Sequence, residues 1–181
     1  VDDFPNSIPA TPAADALSLG FYKSRPDPEE LDDAIWLYLC GLVPEDERPY
    51  DIRVKAMLHE VSPELKRYYL TRGFDWERGS GGLESCMMRE EDELFLEETI
   101  SAYESLGATE HAAIIRELIP LAKQRLMDIE TADSKGEEFD FDDGFWDSYE
   151  ERWDKASNDH DFYAPIWQEI KDHPERYIHE I

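Results

Sequence analysis

An all-α fold is what this sequence predicts, and three observations predict it. Apolar residues recur at three- and four-residue spacing through most of the chain, helix start and stop signals punctuate it, and no stretch reads as a convincing strand. The chain has 181 residues, 41% of them hydrophobic and 12% aromatic. That is enough apolar side chain to close a single multi-helix bundle around one core.

Residues 1–26 carry Pro5, Pro9, Pro12 and Pro26 with little periodicity, and so predict an extended N-terminal arm followed by a helical domain over 27–181. Helical punctuation begins at Asp27 as N-cap, with Pro28 at the first helical position and Glu30 completing a capping box. Leu31, Ile35, Tyr38 and Leu42 then fall on one face, with Gly41 as the stop. A second helix from about Pro49 to Val61 turns Val54, Leu58 and Val61 inward, and Ser62 and Pro63 start a third through Leu65, Tyr68 and Tyr69. The glycines of "RGSGGL" at 78–83 are expected to end that one. The clearest amphipathic stretch spans Glu91 to Leu106, with Leu94, Phe95, Ile100, Ala102, Tyr103 and Leu106 at helical spacing and Gly107 as its C-terminal stop.

Thr109 is expected to cap the next helix, carrying Ala112, Ile115, Leu118, Ile119, Ala122, Leu126 and Ile129, with Pro120 removing one backbone donor and bending the rod. After a polar turn at 132–138 come Phe141, Phe145, Tyr149 and Trp153, four apart. Asp161 then caps a last helix with Tyr163, Ile166, Trp167 and Ile170.

Charge is the second message of the chain. Forty-four Asp and Glu face eighteen Lys and Arg, a formal net charge of −26. Such a field repels nucleic acid and anionic membrane and attracts cations and basic proteins. Residues 128–161 hold fourteen acids against Lys135, Arg152 and Lys155, and residues 84–98 hold seven against Arg89, whereas residues 48–78 hold seven Lys and Arg against five acids. Segregation of that kind predicts an acidic surface, not uniform solubilisation. Cys40 and Cys86 stand far apart with no partner at metal-ligand spacing, which predicts reduced thiols and a cytoplasmic setting. No apolar run approaches the roughly 20 residues needed to cross a bilayer and no signal peptide is visible, while a start at Val1 suggests residues upstream.

The densest acidic stretch, "GEEFDFDD" at 136–143, interleaves acids with phenylalanine. Phe141 opens the aromatic row that continues through Phe145 and Trp153, and Asp140 or Asp142 can cap the helix while the other acids favour its positive end. A calcium loop does not fit, because with Gly144 as the loop glycine the first and third ligand positions fall on Phe139 and Phe141. Carboxylates at i and i+3 or i+4 sit about 5–6 Å apart on a helix. That is of the order of the spacing between neighbouring phosphates, so two such helices imitate the strands bordering a groove about 12 Å wide.

Recognisable catalytic signatures are missing. His59 and Glu60 begin a zinc-protease motif, but Pro63 stands where its second histidine belongs. There is no Gly-Lys-Ser/Thr phosphate loop, and Ser80 lacks the preceding glycine of a nucleophile elbow. Asp159, His160, Asp161 and His173 are explained by helix capping without an ion. No enzyme activity, cofactor or metal is expected.

"YYLTRGFD" at 68–75, "EETISAYESLGATEHAAIIRELIPLA" at 97–122 and "FDDGFWDSYEERWD" at 141–154, followed by "DFYAPIWQEIKDHPERYI" at 161–178, resemble the bacterial DNA-mimic protein family. The Leu106-Gly107-Ala108 turn, and an acidic helix followed by an aromatic one ending in His173-Pro174-Glu175, are similar to that family's pattern across roughly the C-terminal two thirds of the chain. Thr71-Arg72-Gly73-Phe74 stands where the family usually has an Asn-Gly-Gly-Phe stretch. The resemblance implies an all-helical acidic protein, a homodimer among its states, that covers the DNA-binding surface of a transcriptional regulator or another basic DNA-binding protein. On that reading the partner-binding acids are Glu137, Glu138, Asp140, Asp142, Asp143, Asp147, Glu150, Glu151 and Asp154, with Glu90, Glu91, Asp92 and Glu93 as a second row. Their work is long-range attraction and pairing with Lys and Arg. Three alternatives remain open: an immunity protein against a basic nuclease toxin, a metal-dependent hydrolase using clustered carboxylates, and a halophilic-type scaffold without a specific partner.

Overall fold

The computed structural model describes residues 27–44, 50–89, 93–137, 139 and 144–177, with backbone alone at Glu29, Tyr50, Asp51, Arg89 and Glu93. Among the described residues there are seven α-helices, one 3-10 turn and no strand, so the chain is all-α. The Pro-rich arm expected over 1–26 lies outside the described residues. Contacts divide the chain into two compact units, one made of the residues up to Tyr69 with Ile166 onward, the other of Leu70–Pro165.

The first unit holds α1 (Pro28–Leu42), α2 (Tyr50–Glu60), the start of α3 (Pro63–Arg89), most of α7 (Tyr163–Asp172) and a 3-10 turn, Pro174–Tyr177. The capping box of α1 forms as its residues dictate: the Glu30 amide donates to Asp27 Oδ1 at 2.9 Å, and the Asp27 amide to Glu30 Oε2 at 3.3 Å. Gly41 does not stop α1, because a helix tolerates glycine at a cost of about 1 kcal/mol. The helix ends instead where Val43 turns extended and is buried. Ser62 starts α3 as expected, accepting from the Leu65 amide at 3.2 Å and donating to the Arg176 carbonyl at 2.6 Å. Leu31, Ile35, Leu39, Leu65 and Tyr68 are fully buried or nearly so, with Ile166, Ile170 and Tyr177 from the C-terminal end.

The second unit contains the rest of α3, α4 (Glu93–Ser105), α5 (Thr109–Lys135) and α6 (Asp147–Asp159). Helices α4 and α5 pack together across the Leu106-Gly107-Ala108 turn, and Gly107 has φ +75° there, a conformation that disfavours any side chain. Thr109 is not the cap of α5. Ala108 takes that position with no side-chain hydrogen bond and is buried, so the three-residue turn demands a small apolar side chain where a capping hydroxyl was expected. Helix α5 continues across Pro120 and through the polar 132–135 stretch, since no breaker appears before the left-handed Gly136.

Helix α3 departs from expectation in a way that matters later. It is broken only at Gly82, where φ is +73° and ψ 179°, and then resumes. Leu83, Cys86 and Met87 at i, i+3 and i+4 explain the restart, because all three are buried on one face. Helix α6 also starts later than the aromatic spacing suggests, with Trp146 as its N-cap and no side-chain cap. Capping by Asp140 or Asp142 is therefore corrected: the 144–146 turn carries the chain into the helix, and both aspartates, with Phe141, lie outside the described residues. Asp161 caps α7 as expected, accepting from the Tyr163 and Ala164 amides at 3.0 and 3.1 Å.

Trp153 is the centre of this unit and is completely buried. Phe74 stacks on it at 5.4 Å, while Tyr103 and His111 meet it edge-on at 5.5 and 4.6 Å. Phe162 closes the cluster against Tyr103 at 5.3 Å. Edge-to-face pairs of this kind add about 0.5–1.5 kcal/mol beyond burial.

Candidate acidic interface

With Trp153 and Ala156 fixing the inner side of α6, the opposite side is set by helical geometry. Asp147, Glu151 and Asp154, at i, i+4 and i+7, are all exposed there. Neighbours in such a row stand about 5–6 Å apart. Among the described residues Asp147 and Glu151 have no ion-pair partner.

Glu150 faces elsewhere. Its carboxylate reaches the break in α3, where the amide of Leu83, freed by the left-handed Gly82, donates to Glu150 Oε1. The other oxygen accepts from Arg78 Nη1 at 2.8 Å, and Arg78 Nη2 reaches Asp154 Oδ1 at 3.0 Å. The guanidinium also lies 5.6 Å from the Trp153 ring centre. Burial works against the Arg78 charge but is outweighed, first by the hydrogen bond to Glu150, so its pKa is raised. Asp75, 3.9 Å from the same group, is pushed up by burial in spite of Arg78. Arg78 thus ties α3 to α6 through carboxylates of both helices.

A second arginine does the same between α5 and α6. Arg152 donates to Glu110 Oε1 at 2.8 Å and to Glu117 Oε2 at 2.6 Å, both on α5, and lies 5.6 Å from the Tyr149 ring centre. Hydrogen bonding from Arg152 draws the Glu117 pKa down, and hydrogen bonds to Glu117 and Glu110 raise that of Arg152. Of the three basic residues in the acidic span 128–161, Arg152 is therefore spent internally. Lys135 and Lys155 remain exposed.

Two aromatics flanking the acidic stretch before α6 are described, while Phe141, where the spacing opens the aromatic row, lies outside the described residues. Phe139 and Phe145, both half-buried, sit 5.3 and 4.8 Å from the guanidinium carbon of Arg125 on α5. Glu137, just after the Gly136 cap, is exposed and has no ion-pair partner among the described residues. Glu138, Asp140, Asp142 and Asp143 lie outside the described residues, as do Glu90, Glu91 and Asp92 of the second row. Glu93 is the first residue of α4, described by its backbone alone.

Beside the α5 start lies a cavity of about 340 Å³ lined by Glu110, His111, Arg152, Lys155, Asp159 and His160 among others. Its charges nearly cancel. Among the described residues no three His, Cys, Asp or Glu side chains are grouped to hold a metal ion, and no helix is long and apolar enough to cross a membrane.

A family model described as DMP19-like protein matches residues 59–180, which take in the α4–α5 hairpin, the acidic α6 and the aromatic α7. The chain belongs to the DMP19-like family. No curated protein and no solved structure matches it. The DMP19-like span contains the whole of α3 to α7, and hence every described acid of the interface together with Gly82, Arg78, Arg125 and Arg152; α1 and most of α2 precede it. Charge counts registered these arginines as cations but not the carboxylates and rings they meet. Arg152 lies within the acid-rich span 128–161 and Arg125 just before it, whereas Arg78 belongs by charge count to the basic segment 48–78.

Proposed function

We propose that the protein acts as an acidic DNA mimic, occupying the DNA-binding surface of a transcriptional regulator or another basic nucleic-acid-binding protein and blocking DNA access. One observation carries this reading. The arginines nearest the acidic side of α6 are locked into contacts with Glu150, Asp154, Glu110 and Glu117, while Asp147, Glu151 and Glu137 face solvent without a cationic partner among the described residues. A surface selected only for solubility has no reason to turn its arginines inward in this way, and Lys135 and Lys155 are the cations left exposed in the acidic span. Membership of the DMP19-like family is compatible with the same role.

The mechanism involves no bond made or broken. Carboxylates at helical spacing present fixed negative charges to Lys and Arg that otherwise grip phosphates, and long-range attraction speeds encounter. A hydrolase reading expects acids to converge with histidines around one point, whereas Asp147, Glu151 and Asp154 spread along the outer face of α6.

Affinity capture at low salt with the intact chain, followed by competition with duplex DNA, tests the proposal. The expected result is a DNA-binding regulator that elutes with DNA or with salt, as counter-charge contacts should. Capture of a nuclease freed from toxicity by this chain would move the assignment to immunity. A partner indifferent to both DNA and salt would overturn the electrostatic account.

A further inference from the structure

Helix α3 does more than break at Gly82; it doubles back. Ser85 Oγ donates to Glu77 Oε1 at 2.5 Å, and the Cys86 thiol donates to the Phe74 carbonyl at 3.5 Å. In a continuous helix these pairs, eight and twelve residues apart, would be separated along the axis by about 12 and 18 Å. The turns after Gly82 therefore lie back against the turns before it. Such a reversal leaves the first amides of the new helical segment without carbonyl partners, and the glycine at its start has no side chain to cap them. Glu150 of α6 supplies the missing acceptor, taking the Leu83 amide on Oε1 while Arg78 occupies Oε2.

Leu83 is followed at once by Glu84, the first acid of the run 84–98. Consecutive Cα atoms are about 3.8 Å apart, so the two acid-rich spans of the sequence, 84–98 and 128–161, meet where Glu150 receives Leu83. Glu84 is half-buried and has no ion-pair partner among the described residues. We propose that Glu150 is a positioning residue of the acidic interface: by capping the reversed segment of α3 from a different helix, it holds Glu84 at the edge of α6 that Glu150 shares with Asp154, and so adds Glu84 to the acids a partner meets. The role toward a partner rests on the mimic reading; the pin between Glu150 and Leu83 does not.

Because the two carboxylate oxygens have different donors, substitution in the full chain separates them. Glu150→Ala removes both contacts, Glu150→Asp keeps the charge but falls one methylene short of the amide, Glu150→Gln keeps an oxygen for Leu83, and Arg78→Met removes the ion pair alone. Hydrogen exchange of peptides covering 83–88 is expected to accelerate roughly 10-fold in Glu150→Ala and in Glu150→Asp, the second serving should the first not fold. Glu150→Gln and Arg78→Met are expected to stay within about 3-fold of the parent there, and the end of α5 at 131–136, which opens without breaking the pin, keeps the parent rate in all four. Parent-like exchange over 83–88 in both Glu150→Ala and Glu150→Asp would overturn the pin. Acceleration in Arg78→Met equal to that in Glu150→Ala would overturn it too, by assigning the effect to the ion pair.

A double-mutant cycle tests positioning against mere stability. For a partner captured through the acidic face, Glu84→Gln is expected to weaken binding about 3-fold in the parent and to have little effect once Glu150 is alanine, because Glu84 is then no longer held in place. Losses that simply multiply, or no loss from Glu84→Gln in the parent, would remove the positioning role. Should no partner be captured, the mimic reading fails and the exchange result still decides the pin.

Discussion

Glu150 and Glu151 are the same residue type, adjacent on one helix, and the molecule uses them in opposite ways. Glu150 is turned toward α3, where it receives the Leu83 amide and Arg78. Glu151, about 100° further round the helix, faces solvent with no ion-pair partner among the described residues. What separates them is where donors happen to stand: a broken helix and an arginine on one side, water on the other. In a chain with forty-four acids, the count of carboxylates says little about which ones a partner meets.

Both glutamates owe their direction to Trp153, so the harshest way to break the contrast is to remove that ring. Trp153→Ala is expected to cost about 3–5 kcal/mol, the range for deleting a fully buried large aromatic. Urea unfolding measures it; a loss below about 1 kcal/mol would mean that the aromatic cluster does not hold α6 in place. The next effect is smaller and specific to the inner side. Glu150→Ala leaves the Leu83 amide and a mostly buried guanidinium short of an acceptor, and is expected to cost about 2–3 kcal/mol. Glu150→Gln retains an amide oxygen for Leu83 and should recover part of that. Gly82→Ala acts on the same joint, because the added carbon would come within 2.8 Å of Glu150 Oε1 at a backbone angle already forbidding to alanine.

Acidification probes the core that supports both sides. His111 is buried between Tyr103 and Trp153 and shares its Nε2 with Ser157 Oγ at 3.0 Å. Burial first, then the His160 and Arg78 charges, lower its pKa from 6.5 to about 4. Between those two values the unfolded chain binds the proton that the folded chain refuses. Stability from this group is therefore complete above pH 6.5 and is lost as pH falls toward 4, by on the order of 2 kcal/mol. The informative quantity is the difference between parent and His111→Phe: the parent should lose more between pH 6.5 and 4, and parallel curves would refute the assignment.

Much of the helical layout was legible in the sequence because its signals are local. The Asp27-Pro28-Glu30 box, the Ser62-Pro63 start, Gly107 and Asp161 each act within three or four residues and stand where periodicity places them. What was not legible depends on distant partners. Thr109 has a capping side chain, yet Ala108 takes the cap because the turn packs it inside. The glycines at 79–82 look like a helix end, yet the chain leaves the helix at Gly82 alone, and the carboxylate receiving the next amide comes from residue 150. Charge density located the acidic region. It could not tell Glu150 from Glu151, since both sit at plausible outward positions until Arg78 is placed.

The smallest expected change in stability is the sharpest test of the comparison. Glu151→Gln removes an exposed charge from a crowded anionic row, so stability should move by less than about 0.5 kcal/mol, and in the favourable direction because repulsion falls. Its effect belongs in association. The rate constant for a partner captured through the acidic face should drop at low ionic strength and converge with the parent as salt screens the row, with Asp147→Gln behaving alike. Glu150→Gln should do the reverse, lowering the unfolding midpoint and leaving most of the association rate intact. Rates measured at several salt concentrations for the three variants compare them on one axis. If Glu150→Gln slows association as much as Glu151→Gln, the inner glutamate reaches the partner too, and the distinction between a charge that shapes the interface and one that meets the partner dissolves.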